Sequence, residues 1–548
     1  MIARAEGLGM AGVGLTVVTD AGSTRISLVE GQSVREALDV GAVRVRAACG
    51  GTGQCGACGI RLLSGDVNPL TPAEMFKLPA EARAQGMRLA CQLRPRGDTV
   101  IQVDDPAPPS DWRSIPADDL LPPAGALPEL SQHVYGLAVD LGTTHIRLAL
   151  WDRRNGCRIA TRRGANPQAI HGADVLNRLA AARGRPERAE ELAGLARTAI
   201  LHGLRDMLAR DMGEVKPMLA QIGQVMVVGN TAMLALLTGQ GGEALFEPGN
   251  WQRTITIEPR EAATWRDGWG LANADIVVPP PLAGFVGSDL PADVIATSLM
   301  EGPDASLLLD LGTNTEIALW DGRALHVTSV PGGPAFEGGG IRNGMAADAG
   351  AIHRVALADG ELRCEVIGGG GARGFCGTGL LDGIAALLRS GALKPSGRFA
   401  VSPGAEGIRL VADNPRTAVT GQDVDTFQRA KAALAAGIQE LFRRAGLEWG
   451  DLRRLCVCGA FGRSLDIANA QAVGLLPDID RTRIELFADA ALSGCERALL
   501  SRDGRGLFTA ICRKAYPVNL SVAASYEDCY IDQLRLRPLR EAVAGRSA

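Results

Sequence analysis

GLAVDLGTTHIRLALWD (residues 136–152) and SLLLDLGTNTEIALWDG (residues 306–322) carry one pattern twice: an apolar run, an Asp-Leu-Gly-Thr turn and a second apolar run. A strand–turn–strand opening that recurs within one chain predicts two similar lobes. Each turn places a carboxylate, Asp140 or Asp310, at a strand end, followed by backbone N–H groups and Thr hydroxyls that can hold phosphate oxygens. The Asp can bind magnesium, directly or through water, or orient an attacking water. One copy alone reads as an ordinary hairpin, because Asp and Gly are common turn residues. Two facing copies can clamp one nucleotide. A third turn, Gly459-Ala460-Phe461-Gly462, follows the apolar run LCVCGA and lets bare backbone approach an adenosine. Asp140 and Asp310 are therefore the expected catalytic residues. Gly142, Thr143, Thr144, Gly312, Thr313, Asn314, Glu316, Gly459, Ala460, Phe461 and Gly462 are expected to bind ATP with Mg2+. His145, just after the first turn, is expected to play a local structural role.

Ahead of these turns stand four cysteines, Cys49, Cys55, Cys58 and Cys91, spaced C-x5-C-x2-C-x32-C. Three close cysteines and a remote fourth resemble the plant-type ferredoxin pattern, with one residue more in the first gap. Glycines at 50, 51, 53 and 56 give the tight curvature that lets thiolates converge, and bare backbone there brings N–H groups near sulfur. A zinc site or buried thiols are the other readings, but structural zinc favours two close ligand pairs. The four cysteines are expected to hold a 2Fe–2S cluster. The other eight, led by Cys456 and Cys458 on one face of an apolar strand, are expected in the core.

The chain has 548 residues, 46% hydrophobic and 22% charged, with a formal charge of −4. That length supports several domains, and the mild acidity excludes a nucleic-acid binder. No apolar stretch reaches the roughly 18–20 residues of a membrane span, and the N-terminus lacks a secretory pattern. The expected location is cytoplasmic, where twelve cysteines remain reduced.

Residues 13–103 read as a small β-rich α+β domain: a hairpin about Asp20, a helix capped by Ser33 and Glu36, the cysteine loop, a strand over GIRLLSGDV, one helix over TPAEMFKLPAEARAQG, and a closing strand. Residues 104–133 hold seven prolines and several acids, and read as an extended tether that lets the first domain move. From residue 134 to 540 strands and helices alternate as an α/β two-lobed unit.

The three glycine turns resemble those of the acetate kinase, sugar kinase, Hsp70 and actin superfamily. That resemblance implies ribonuclease-H-like lobes with ATP in the cleft. The N-terminal domain resembles β-grasp ferredoxins. Their order in one chain resembles the reductive activators of corrinoid proteins. So do GNTAM (229–233), PPPLAGFVGSD (279–289), GGPAFEGGGIRNGM (332–345) and GFCGTGLLDGIAALL (374–388); the last adds Gly377 and Gly379 to the expected cofactor-binding residues. The implied activity is ATP-dependent, one-electron reduction of Co(II) to Co(I) on a corrinoid protein that serves a methyltransferase. An upstream reductase or ferredoxin would supply the electron, and the ATPase unit could form a homodimer. Activation of another low-potential metalloenzyme and a ferredoxin-linked small-molecule kinase are the alternatives. Two departures stand out. A middle domain found in family members looks absent, since about thirty residues separate the first domain from Tyr135. Thr315 also stands where Gly is frequent, which requires that its backbone not be left-handed.

Overall fold

A computed structural model describes residues 13–20, 22–28, 31–39, 43–45, 53, 56–104, 106, 112–115, 134–172, 174–212, 215–259, 262–312, 314–330, 332, 336, 340–459 and 464–540. In the N-terminal domain, strands Val13–Thr19 and Gly22–Leu28 form the expected hairpin, in register from Val13↔Leu28 to Thr19↔Gly22. Val13–Thr19 also pairs in parallel with Thr99–Gln102, which continues through Gly59–Ser64 to Met87–Leu89. Alternate residues Leu15, Val17, Ile60, Leu89 and Ile101 turn inward against Val34 and Leu38 of helix Val34–Asp39. Ser33 and Glu36 cap that helix reciprocally: the Ser33 N–H donates to Glu36 Oε2 (2.7 Å) and the Glu36 N–H to Ser33 Oγ (3.3 Å).

The single helix expected after Thr71 is two short ones, Pro72–Lys77 and Ala80–Ala84. Pro79 between them has no N–H to donate and disfavours a helical residue before it. Glu74 fixes the first of the pair. Its fully buried carboxylate caps Thr71 and takes Arg88 Nε (2.8 Å) and the Leu89 N–H (3.1 Å). Burial alone would raise its pKa, but the Arg88 bond and the two backbone N–H donors outweigh that and lower it.

The duplicated turns open two sheets of matching order. In the first, Tyr135–Leu141 lies between Ile222–Gly229, parallel to it, and His145–Asp152, antiparallel. In the second, Ala305–Leu311 lies likewise between Leu452–Gly459 and Thr315–Trp320. These central strands are buried along almost their whole length, as parallel pairing covered on both faces requires.

Helix Asp289–Thr297, which leaves the first lobe, packs Leu290 and Val294 on the second sheet, against Leu308, Ala318 and Cys456. Helix Ala490–Leu499, which follows the second sheet, packs Leu492 and Cys495 on the first, against Ala138 and Met226. Each helix thus covers the sheet of the other lobe. They cross so closely that a Cβ on Gly494 would lie 1.8 Å from the Ala292 carbonyl oxygen. Buried Glu496 anchors the second helix, taking Arg158 on both oxygens (2.7 Å each) and Trp151 Nε1 (2.9 Å).

The stretch read as a free tether is fastened at one point. Arg113 and Arg163 exchange backbone hydrogen bonds (2.9 and 2.7 Å), and the Ile115 N–H donates to Thr161 Oγ1 (3.2 Å). The Trp112 ring fills the space above Gly164 and Gly203, where a Cβ would come within 2.7 and 3.0 Å of it. The N-terminal domain touches the same region. Arg44 Nη2 donates to the Trp112 carbonyl (2.5 Å), and Arg35 pairs with Asp211 (3.6 Å), which also holds Arg162 (2.6 Å).

Of the cysteines expected in the core, Cys376, Cys456, Cys458 and Cys495 are buried, Cys364, Cys512 and Cys529 are half-buried, and Cys157 is exposed at the start of strand Cys157–Ala165. No helix among the described residues is long and apolar enough to cross a membrane.

Candidate functional site

Two sites emerge. In the N-terminal domain Cys58 and Cys91 are buried with their sulfurs 3.4 Å apart, and Gln92 Nε2 donates to the Cys91 sulfur (3.6 Å). Two converging buried sulfurs, one bonded to an amide, fit thiolate ligands of an iron–sulfur cluster. Cys49 and Cys55 lie outside the described residues. Flanking Cys55, Gly53 and Gly56 have φ of +79° and +71°, and a Cβ on Gly53 would meet that of Ala73 at 2.8 Å. Glycine is therefore favoured at both positions by conformation, and at Gly53 by space as well.

The second site is a cavity of about 110 Å³ between the lobes, which brings together Asp140, Gly142, Thr143 and Thr144 with Asp310, Gly312, Asn314, Glu316 and Gly459. The first turn is held from behind. Its carbonyls accept from Asn166 Nδ2 at Gly142 (2.9 Å), Arg178 Nη1 at Thr143 (2.8 Å) and the Asn166 N–H at Thr144 (2.9 Å). A Cβ on Gly142 would lie 2.7 Å from the His145 carbonyl oxygen. Gly459 closes its strand with φ +86°, and a Cβ there would lie 2.3 Å from Asp310 Oδ1, so Gly459 is pressed directly against the second turn. Thr315 opens its strand without a left-handed backbone, which meets the condition set on that substitution.

Thr313, Ala460, Phe461 and Gly462 lie outside the described residues. Gly377 and Gly379 are not among the lining residues. A Cβ would meet the Phe336 carbonyl oxygen at 1.8 Å from Gly377 and that of Ile352 at 2.1 Å from Gly379. Both glycines serve close packing of helix Gly377–Arg389.

Sequence reading missed several lining residues: Arg147, Asn230, Asp289, Asp293 and Asp489. Asn230 caps helix Thr231–Thr238 and donates through Nδ2 to Thr143 Oγ1 (3.0 Å). Asp289 and Asp293 lie one helical turn apart on the crossing helix. Asn230 and Asp289 sit in GNTAM and PPPLAGFVGSD, the segments already singled out, which was the available clue. His145, set aside as structural, also lines the cavity, and burial beside Arg147 and Arg163 lowers its pKa to about 4.

Six carboxylates face this space: Asp140, Asp289, Asp293, Asp310, Glu316 and Asp489. Burial, with Asp310 and Asp140 close by, raises Asp289 to about 8. Burial with Asp310 and Asp289 raises Asp293, and burial with Asp289 and Asp310 raises Glu316, both well above the usual carboxylate range. Asp293 Oδ2 is buried without a hydrogen-bond partner. Among the described residues no three His, Cys, Asp or Glu side chains converge tightly enough to hold a metal alone. Acids that share protons and stop short of a closed cage fit a divalent cation that arrives with phosphate oxygens and water.

Comparison with known proteins agrees along the chain. A model of the 2Fe-2S iron-sulfur cluster binding domain matches residues 18–96. The RACo middle region matches 135–302, and the C-terminal domain of RACo, the ASKHA domain, matches 304–543. The middle region taken as absent is therefore present, as the first of the two lobes. The corrinoid activation enzyme RamQ of Eubacterium limosum is 29% identical over 437 residues, 74% of this chain and 70% of that protein. The Co(II) methylated amine-specific corrinoid protein reductase of Methanosarcina barkeri is 26% identical over 441 residues, 73% of this chain and 77% of that one. A solved structure of a reductive activator for corrinoid, iron-sulfur protein superposes with a TM-score of 0.62 at 26% identity, covering 96% of this chain and 98% of that one. With a cysteine-bearing ferredoxin-like domain ahead of two lobes of the actin, Hsp70 and sugar-kinase type, the chain belongs to the RACo family of reductive activators of corrinoid proteins.

Proposed function

We propose that this chain returns the Co(II) form of a corrinoid protein to Co(I), with ATP bound between the lobes favouring the transfer. The observation that carries this reading is the convergence of both duplicated turns on one cavity, in a chain whose cysteine domain rests on the first lobe. When bound, a 2Fe–2S cluster supplies a one-electron donor. Cys58 and Cys91 would hold it together with Cys49 and Cys55, and the Gln92 amide on the Cys91 sulfur would tune its potential. An upstream reductase or ferredoxin reloads the domain.

Thr143, Thr144, Gly312 and Asn314 take the phosphate oxygens, and the Gly459 turn accommodates the adenosine. Asp140 and Asp310, which line this cavity, would hold Mg2+, directly or through water, or orient the attacking water. For one electron, every ~59 mV uphill costs about 1.4 kcal/mol. Nucleotide-dependent closure of the lobes on the corrinoid partner offsets that cost if the gripped partner is the more easily reduced one.

The test is to mix the anaerobic protein, a reductant and a Co(II) corrinoid protein, and to follow the Co(I) absorption. Co(I) should form with ATP and not without it, and Asp310→Ala should abolish the ATP effect while leaving the cluster spectrum intact. Equal rates with and without ATP, or transfer of phosphate to a small molecule, would overturn the reading.

A further inference from the structure

The repeat that builds the two lobes is unequal at one position. Opposite Asp140, its cross-strand partner is Arg147; opposite Asp310, at the corresponding place, it is Glu316. Both residues directly precede the shared Ala-Leu-Trp-Asp motif by one apolar residue, so the difference is a change of charge at equivalent positions. One side of the cavity therefore carries acid against acid and the other acid against base. Among the described lining residues Arg147 is the one permanent cation.

Its guanidinium reaches two carboxylates from different parts of the chain. Nη1 donates to Asp140 Oδ2 (3.1 Å), and Nε pairs with Asp489 Oδ1 (2.6 Å). Asp489 lies at the start of the crossing helix Ala490–Leu499 and has φ +45°, a strained backbone for a residue with a side chain. A polyphosphate entering this acidic space meets repulsion from the carboxylates that stay ionised, which one divalent cation offsets only in part. A divalent cation on Asp140 would also compete for the oxygen that Nη1 now holds.

Resting on the nucleotide reading above, we propose that Arg147 is a catalytic arginine carried in cis, exchanging Asp140 for the terminal phosphate of ATP while Asp489 keeps its Nε in place. In that step a water oxygen bonds to the γ-phosphorus as the bond to the β–γ bridging oxygen breaks. The electron pair leaves on ADP, the water proton passes to solvent, and nothing is oxidised or reduced. Arg147 stays protonated and shares the charge of the transferring group through its planar fork. ADP lacks the group it would contact, so the arginine discriminates between the two nucleotides.

The test uses the full-length protein with Arg147→Ala and Arg147→Lys, measuring ATP and ADP affinity, single-turnover phosphate release, and rescue by free guanidinium. Loss of one preorganised charge donor is expected to slow turnover of bound ATP by about 10²–10³-fold. ADP affinity should stay within roughly threefold. Guanidinium should restore part of the turnover of Arg147→Ala, and Arg147→Lys should lose at least about tenfold. Turnover of bound ATP within threefold of wild type, or equal losses for ATP and ADP without rescue, would make Arg147 a structural ion pair and overturn the proposal. If Arg147→Ala does not fold, Arg147→Lys decides between the same two outcomes. Wild-type protein that binds no ATP would overturn the nucleotide reading itself, an outcome visible before any variant is made.

Discussion

Replacing Gly494 by Ala tests the crossing of the two central helices. A Cβ on Gly494 would lie 1.8 Å from the Ala292 oxygen, 2.4 Å from its carbonyl carbon and 2.8 Å from its Cα. All three are backbone atoms, so no side chain can swing aside. The helices must part by about 1.2 Å to reach even 3.0 Å, the limit that real Cβ atoms respect. Each helix is held by apolar packing on the sheet of the other lobe, so parting them opens both interfaces. Overpacking of this kind costs roughly 1–3 kcal/mol. Against it stands the gain of roughly 1 kcal/mol for Ala over Gly inside a helix. The net expectation is a loss of up to about 2 kcal/mol.

Gly194, inside helix Pro186–Met207, supplies the control, since a Cβ there meets nothing within 4 Å. Gly194→Ala should gain roughly 0.5–1 kcal/mol. Urea unfolding followed by tryptophan fluorescence should therefore move the two midpoints in opposite directions. A Gly494→Ala midpoint at or above that of the parent would show that the helices are not in backbone contact.

Three further outcomes are expected. Glu74→Ala leaves the Arg88 charge buried without its carboxylate, which costs about 3–5 kcal/mol; cluster absorbance in urea should bleach at a clearly lower midpoint than in the parent, and an unchanged midpoint would contradict the pairing. The Asp289 carboxyl, raised to about 8, keeps at pH 7 a proton that the unfolded chain has lost. The nucleotide-free protein should therefore lose stability as pH rises from about 4 through 8, and binding of Mg–nucleotide at pH 7 should release protons. Calorimetry in buffers of different ionisation enthalpy measures that release, and buffer-independent heats would refute it. Finally, Cys58→Ser should lose iron and visible absorbance, whereas Cys456→Ser, in the buried strand Leu452–Gly459, should keep both; equal iron content in the two variants would remove Cys58 from the cluster.

The repeat, the glycine turns and the cysteine spacing were legible because each is local: a run of residues whose order alone implies a shape. The Asp-Leu-Gly-Thr turns alone place Asp140 and Asp310 at strand ends, and the structure brings them to one cavity. Asp489 and Asp293 could not be placed, because only the crossing of two helices carries them there. Arg147 lies within the quoted repeat, yet its facing Asp140 depends on cross-strand register, which the turn sets. Gly377 and Gly379 show a second use of glycine: it also marks places where backbones touch, and a sequence does not tell that use from ligand binding. The strand Met87–Leu89 is too short for alternation to reveal it.

The fastening of Trp112–Ile115 to the first lobe sets the leash of the electron-carrying domain. Counted from Asp104 to Trp112, a fully extended chain reaches roughly 27 Å, against roughly 100 Å if the whole stretch to residue 134 were loose. A carrier held on the shorter reach would have a volume smaller by a factor of roughly fifty open to it, and its local concentration at the target would rise in proportion. A corrinoid partner must then bring its cobalt to a small, fixed neighbourhood of the first lobe. An indole ring seated over Gly164 and Gly203, with the backbone pair it precedes, thus bounds the reach of the electron carrier.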